Sequence, residues 1–406
     1  MIDFLLDPVL RAPLWGSTCL ALAVSLIGVL LFVRRSTLVG ETLSHASYPG
    51  VMVAIFFAPW IGLESIVLVF ATLSALIGFW FIHLLREKLR VKEDSALCFV
   101  LATFFGMGTL LASVIQVIHP VLFRQVPVYL YGQAATMQDQ HLYIYAVFAC
   151  AVVLWIILCY RPLLVGSFDR NFIYSPHQRF MRSAIDVSLL IFVALAVVMG
   201  MRSLGIILLS ALMIAPPIAA RQFTHRLPRM FILSGAFGML SGFVGTLLSL
   251  SGLPTGPCIV LVASSLALLS LLFAPQNGVI FRLIRISLFR SRIRQENVLK
   301  ALWCKKIPRA PWWVWWVLAR KGWIDSQHQL TETGRRQGAR IVRLHRLWEA
   351  YLVYSLGMGR DQVHQNAEDM EHLLTPQLEQ ELEQLLAHPE FDPHAQPIPS
   401  REQVYA

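Results

Sequence analysis

The run GETLSHASYPGVMVAIFFAPW, Gly40–Trp60, decides how the rest of the chain is read, because it joins two ionisable side chains to an apolar stretch. On a helix Glu41 and His45 lie on one face, one turn apart, and Pro49 follows one turn further on. A bilayer crossing takes about 20 mostly apolar residues. Stretches of that kind recur outward from this one, near 13–33, 38–60, 63–83, 95–116, 141–160, 184–200, 203–220, 231–250 and 255–274. Of the 406 residues 56% are hydrophobic and 14% charged, and the mean hydropathy of +0.60 lies well outside the range of soluble domains. The sequence therefore predicts an all-α fold, a polytopic membrane helical bundle of about nine spans with a small cytosolic helical C-terminal domain.

Charge gives this chain a direction. Residues 1–280 carry 16 Lys+Arg and 10 Asp+Glu, and the last 126 carry the other 18 and 14. A net charge of +10 points on its face to nucleic acid, but the basic residues of the membrane part sit in short connections. Arg34 and Arg35, then REKLRVK (Arg86–Lys92), then Arg161, Arg170, Arg179 and Arg182, then Arg221, Arg226 and Arg229 occupy alternate ones. That alternation marks the cytosolic side and puts the N-terminus outside and residues after 275 inside. The first span reads as retained, not as a cleaved signal. The stretch RLIRISLFRSRIRQ, Arg282–Gln295, reads as a basic linker over 281–295. The six cysteines form no CxxC pair, so no disulfide framework is implied. No GxxxxGK[ST] occurs, so the chain has no P-loop with which to hydrolyse ATP. If the chain takes part in active transport, another subunit supplies the energy.

Burying a carboxylate at bilayer depth costs about 2.5–3.5 kcal/mol on insertion scales, so Glu41 needs a reason to be there. One is a Glu41–His45 pair that satisfies itself at the cytosolic membrane surface. The other is chemistry: in a continuous helix Pro49 leaves the carbonyl of residue 45 without its usual partner. Carboxylate, imidazole and free carbonyl then form half of a divalent-metal site suited to Mn, Fe or Zn. Asp139 and His141, near a span end, read as interfacial polar residues.

The quoted stretch resembles the GD-x-x-SHA-x-x-PG motif of the metal-ion permeases of ATP-binding-cassette importers. The resemblance continues in KEDSALCFVLATFFGMGTLLAS (Lys92–Ser113), YLYGQAATMQDQHL (Tyr129–Leu142), SLGIILLSALMIAPPIAARQFTHRLPRM (Ser203–Met230) and LPTGPCIVLVAS (Leu253–Ser264). It covers residues 10 to about 280. It implies that Glu41, where Asp is commoner, and His45 line the substrate metal path. It also implies that Ala219–Arg229, with Arg221, Arg226 and Arg229, corresponds to the short coupling helix that docks on the ATPase. The partners it implies are an ATP-binding subunit, an extracytoplasmic metal-binding protein and a second permease copy or paralogue.

The tail has another pattern. On a helix within Leu330–Met358, His345 and Glu349 are one turn apart, and on a following helix Glu368, Glu371 and His372 share a face. Two such helices can hold a divalent cation, and a mix of carboxylate and imidazole without thiolate leans to manganese or iron. The bland reading is a solvated charged face. LTETG (Leu330–Gly334) and HPEFDPHAQPIP (His388–Pro399) resemble stretches of the diphtheria-toxin-repressor and manganese-repressor family. That resemblance implies that His345, Glu349, Glu368, Glu371 and His372 bind metal, with Glu368 favouring the manganese type. Upstream, RQENVLKALW (Arg294–Trp303) resembles the family's first helix, but Asn297 and Lys300 stand where acidic ligands are expected. An ammonium cannot ligate. In PWWVWWVLARKGWI (Pro311–Ile324) one helix crowded with Trp replaces the polar recognition element that DNA reading needs, so DNA binding is not expected.

The domains expected are a permease domain at 1–280, the linker at 281–295, a degenerate winged-helix-like segment at 296–330 and a metal-binding and dimerisation domain at 331–406. Together they predict the permease subunit of an importer for Mn, Fe or Zn with a fused metal-responsive domain and no organic cofactor. A second reading makes the chain a precursor whose C-terminal part is released as a metal-dependent repressor.

Overall fold

A computed structural model of the chain describes residues 8–61, 63–134, 137–168, 176–275 and 277–405. Arg170 lies outside them. Among the described residues the regular structure is helical, with two isolated antiparallel bridges, Ile324–Leu330 and Phe391–Pro397, and no strand. The chain divides into two units, Met1–Phe281 and Arg282–Ala406.

The first unit contains α1 (Pro8–Val33), α2 (Thr37–Ile61), α3 (Leu63–Glu87), α4 (Glu93–Ile118), the short α5 (Pro120–Phe123) and α6 (Val126–Tyr131), α7 (Asp139–Leu158), α8 (Tyr160–Phe168), α9 (Pro176–Ser203), α10 (Ile206–Phe223), α11 (Leu227–Ser249) and α12 (Thr255–Phe273). Each of the nine expected spans falls on one of the long helices. Seven described helices are long and apolar enough to cross a membrane. The two expected spans outside that group are α2 and α10. In α2 the polar residues Thr37 to Ser47 dilute the apolar run, and α10 is a helix of 18 residues with Arg221 and Gln222 in its last turn.

Helix α2 packs against α3, α4, α9 and α10. Its polar side chains are tolerated because the helix backbone absorbs them. Thr42 donates to the Leu38 carbonyl at 2.8 Å and Ser44 to the Gly40 carbonyl at 2.8 Å, so neither hydroxyl is left unbonded in an apolar surround. Close approach is the second device. A Cβ on Gly50 would stand 2.1 Å from the Phe70 carbonyl oxygen, so the glycine of the SYPG stretch lets α2 and α3 touch backbone to backbone, the small-residue packing of helices in lipid. Ser74 on α3 bonds the Ala46 carbonyl at 2.7 Å and ties the same two helices. Asp139 at the start of α7 pairs with Arg11 of α1, and His141 accepts from the Gln138 backbone at 3.2 Å.

The second unit is built on α13 (Val279–Trp303), α14 (Trp312–Arg320), α15 (Glu332–Tyr354), α16 (Arg360–Met370), α17 (Pro376–Leu385) and α18 (Arg401–Tyr405). The basic stretch 281–295 is therefore the body of a helix, and its continuation buries Val298 and Leu299 with Val314, Leu318, Ile324 and Ile341. The LTETG motif starts α15. Thr331 caps it by accepting from the Gly334 backbone at 3.1 Å, and a Cβ at Gly334 would fall 1.9 Å from the Trp323 carbonyl oxygen. The IDSQHQ and FDPHAQ stretches make the same turn twice: Asp325 and Asp392 each accept two backbone N–H groups of the loop they open.

Arg343, on α15, is buried and holds this unit's far side. Its guanidinium donates to Glu379 at 2.9 Å and to the Pro399 carbonyl at 2.6 Å and pairs with Glu383 at 2.6 Å, fastening α17 and the PIP stretch to α15. Replacing Arg343 with Met strands two carboxylates and should destabilise the second unit by about 3–5 kcal/mol. Tryptophan-monitored melting of the full chain reads this directly, since seven of its eleven tryptophans lie beyond residue 281.

Candidate functional site

Two groups of metal-type ligands emerge, one in each unit. In the first, α2 runs unbroken through Pro49, so the His45 carbonyl lacks the backbone donor that a helix normally supplies. Glu41 and His45 are both half-buried on this helix. The His45 ring stands edge-on to Phe105 with centroids 4.9 Å apart, and its Nδ1 is buried without a hydrogen-bond partner. A buried, unsatisfied imidazole nitrogen is rare in a folded protein and calls for a ligand. No hydrogen bond joins Nδ1 to Glu41.

The expected coupling segment, Ala219–Arg229, is not a helix of its own. Arg221 lies in the last turn of α10, Thr224 to Arg226 make the turn, and Arg226 precedes α11, which carries Arg229. Arg226 and Arg229 are exposed and Arg221 is half-buried. The three cations thus gather around one inter-helix corner.

In the second unit the ligand set is re-sorted. His345 Nε2, Glu349 Oε1 and His364 Nδ1 form a triangle with edges of 3.2, 2.8 and 3.1 Å. Two ligands at right angles on bonds of about 2.1 Å lie about 3 Å apart, so this triangle matches one face of an octahedron, the two-histidine, one-carboxylate arrangement. His364 was not among the expected ligands. Its signal in the sequence was the spacing to Glu368, one turn later on the same helix. Glu368 itself is exposed and 3.7 Å from the far nitrogen of His364. Glu371 does not join the triangle either: its Oε2 is 2.5 Å from Nδ1 of His345, the outer carboxylate that fixes a ligating histidine's tautomer and ring plane. His372 turns away to Glu296 at 2.6 Å. The other oxygen of Glu349 faces His394 at 3.7 Å, beside Asp392.

Electrostatics suit a cation. Burial would raise the Glu349 carboxyl, but hydrogen bonds from His345 and His364 reverse this and hold it at about 2. Burial would lower the His345 imidazole, and its bonds to Glu349 and Glu371 outweigh burial and the opposing charge of Lys300, so it is raised above its ordinary 6.5. A proton on His345 therefore occupies the position a metal would take.

The match to known proteins follows the same division. Residues 6–274 match the model of the ABC 3 transport family. The chain belongs to that family. Residues 331–400 match the iron dependent repressor, metal binding and dimerisation domain. Both parts occur together in a protein of Chlamydia trachomatis serovar D named "Probable metal transport system membrane protein", 35% identical over 97% of each chain. The permease part is 33% identical to the manganese transport system membrane protein MntC of Bacillus subtilis, over 71% of this chain and 66% of that one. It is equally 33% identical to the zinc transport system membrane protein TroC of Treponema pallidum, over 69% and 93%. In the solved structure of PsaBC from Streptococcus pneumoniae in complex with Fab, one chain superposes with a TM-score of 0.58 at 25% identity, covering 70% of this chain and 98% of that one.

The His345–Glu349 pair makes the metal-free second unit pH-sensitive in a defined sense. The raised imidazole contributes stability that is full below about 6.5 and is lost as pH climbs through its folded value; the depressed carboxyl contributes above about 4.5 and is lost as pH falls toward 2. Melting in EDTA should peak between those limits. Manganese must displace the His345 proton, so its affinity should strengthen as pH rises through the range where apo stability declines. Calorimetric titration from pH 6 to pH 8 checks the sign, and His364→Ala should weaken binding at least about tenfold at every pH.

Proposed function

We propose that the chain forms the membrane path of an ATP-driven importer for a divalent transition metal, with Glu41, His45 and the freed carbonyl of residue 45 as the ligands the ion meets. The observation that carries this is the buried, unpartnered Nδ1 of His45 one turn from a carboxylate in an apolar helix. Carboxylate and imidazole are borderline in hardness and suit Mn, Fe or Zn, and relatives named for manganese and for zinc support that range. Two copies of α2 facing each other, from a second permease copy or a paralogue, would supply four side-chain ligands. An ATP-binding subunit provides the energy and docks at the corner of Arg221, Arg226 and Arg229, and an extracytoplasmic binding protein delivers the ion. Charge bias supports an N-terminus outside and the second unit in the cytosol.

The second unit senses the imported metal. His345, Glu349 and His364 hold the ion, Glu371 orients His345, and Glu368 and His394 stand at the rim. Release of this unit as a repressor is favoured by its match to a repressor domain. Against release, between α13 and α15 the described residues hold one helix, α14, whose outward face presents Trp312 and Trp316 where base reading needs polar side chains.

Two experiments divide these readings. With the complete transporter expressed in uptake-deficient cells, total Mn, Fe, Zn and Co are measured by mass spectrometry. One metal should rise with the intact chain and fall by more than about tenfold with Glu41→Ala or His45→Ala at unchanged membrane level; accumulation that survives both substitutions removes the pair from the path. A mobility shift of the promoter region with residues 282–406 and manganese should be absent, and a metal-dependent shift would establish the repressor.

A further inference from the structure

Beside the metal triangle lies a second arrangement of charge that does not fit an ion. Lys300, on α13, places its ammonium 2.7 Å from Glu371 Oε2 and 3.1 Å from His345 Nδ1. The Glu371 carboxylate is 1% exposed, and Lys300 18%. One turn earlier on the same face of α13, Glu296 receives His372 at 2.6 Å. Glu296 and Lys300 thus meet His372 and Glu371 side by side, the His372 ring and the Glu371 carboxylate buried and the two α13 side chains half-buried. Asn297 is exposed and takes no part.

An ion that replaced the bond between Glu371 Oε2 and His345 Nδ1 and sat about 2.1 Å from both would lie against the ammonium already there. A like charge at that distance, in a surround of low dielectric, excludes it. Lysine offers three donors and no lone pair while protonated, so it neutralises the carboxylate without serving as a ligand.

We infer that Lys300 is a tethered stand-in for a metal ion: it supplies permanently the positive charge that would otherwise come from a second bound cation, so the second unit takes one ion per chain and α13 stays latched to Glu371 and His372 whether or not metal is present. The inference rests on reading this unit as a divalent-metal domain. Metal then acts on the domain through the His345–Glu349–His364 triangle alone, and the helix leading into the unit does not wait on metal to dock. Lys300 acts through Glu371 and is a positioning residue.

The test uses the purified full chain in nanodiscs, manganese alone as the probe, and two substitutions. Lys300→Glu puts a ligand where the ammonium was, and Lys300→Met removes the charge while keeping most of the volume. Manganese per chain is counted by mass spectrometry after equilibrium dialysis, and melting of the second unit is followed by tryptophan fluorescence with EDTA or manganese. The unsubstituted chain should keep its melting transition in EDTA. Lys300→Glu should gain about one manganese per chain over it. Lys300→Met should melt lower in EDTA and recover by about 5 °C or more with manganese, a larger rise than the unsubstituted chain shows. A simple structural salt bridge would lose stability in both variants without any gain in manganese or rescue by it, and that result overturns the inference. So does loss of the unsubstituted chain's transition in EDTA. If His364→Ala removes no manganese from the unsubstituted chain, the metal-domain reading fails separately, because the Lys300→Glu count is scored against its own parent.

Discussion

A charge taken out of water must be paired, hydrogen-bonded or given up, and the arrangement of both units follows from how that requirement is met. In the second unit Arg343 meets Glu379, Glu383 and a backbone carbonyl, Glu371 Oε2 meets Lys300 and His345 while its Oε1 is buried without a hydrogen bond, and Glu349 meets His345 and His364. In the first unit, hydroxyls of Thr42 and Ser44 are answered by their own helix, while His45 Nδ1 is left open. In the path proposed above, that open nitrogen is where an ion would bind.

The two units use the same ligand chemistry to different ends. Glu41 and His45 belong to one helix, one turn apart, with a proline-freed carbonyl at the same height; a single chain supplies too few donors to hold an ion firmly. Weak, incomplete coordination suits a path, since an ion that is held too well does not leave. The proposed sensing site instead draws His345, Glu349 and His364 from two helices, with Glu371 behind His345 to fix its orientation, the support that a resident site needs. In that proposed site, competition between a proton and a metal at His345 would couple ion binding to the stability of the fold around it.

Much of the architecture was readable from residue order. The apolar runs gave the long helices of the first unit, because in lipid a backbone must satisfy itself and the helix does so locally. The LTETG stretch gave a helix start for local reasons as well, a threonine cap and a glycine against a carbonyl. The ligand set was only half readable. Spacing paired His345 with Glu349 correctly, since both sit on α15, but it assigned Glu368, Glu371 and His372 together because they share a face of one helical segment. Glu371 still follows the helix as its C-cap, its N–H bonded to the Ala367 carbonyl, but it meets His345 and Lys300 while His372 meets Glu296, and it is His364, one turn before Glu368, that stands with His345 and Glu349.

The sequence by itself determined what can be determined by neighbours along the chain: which stretches are helices, which are apolar enough to cross a bilayer, and that carboxylates and imidazoles recur at one-turn spacing. Only the tertiary structure decided which of those groups meet. Whether Lys300 spoils a site or fills it, whether Glu371 binds an ion or orients the histidine that does, and whether His45 is satisfied depend on contacts between residues tens of positions apart. Periodicity carries no information about such distances, because a helix face states a direction and the partner on that face is set by packing.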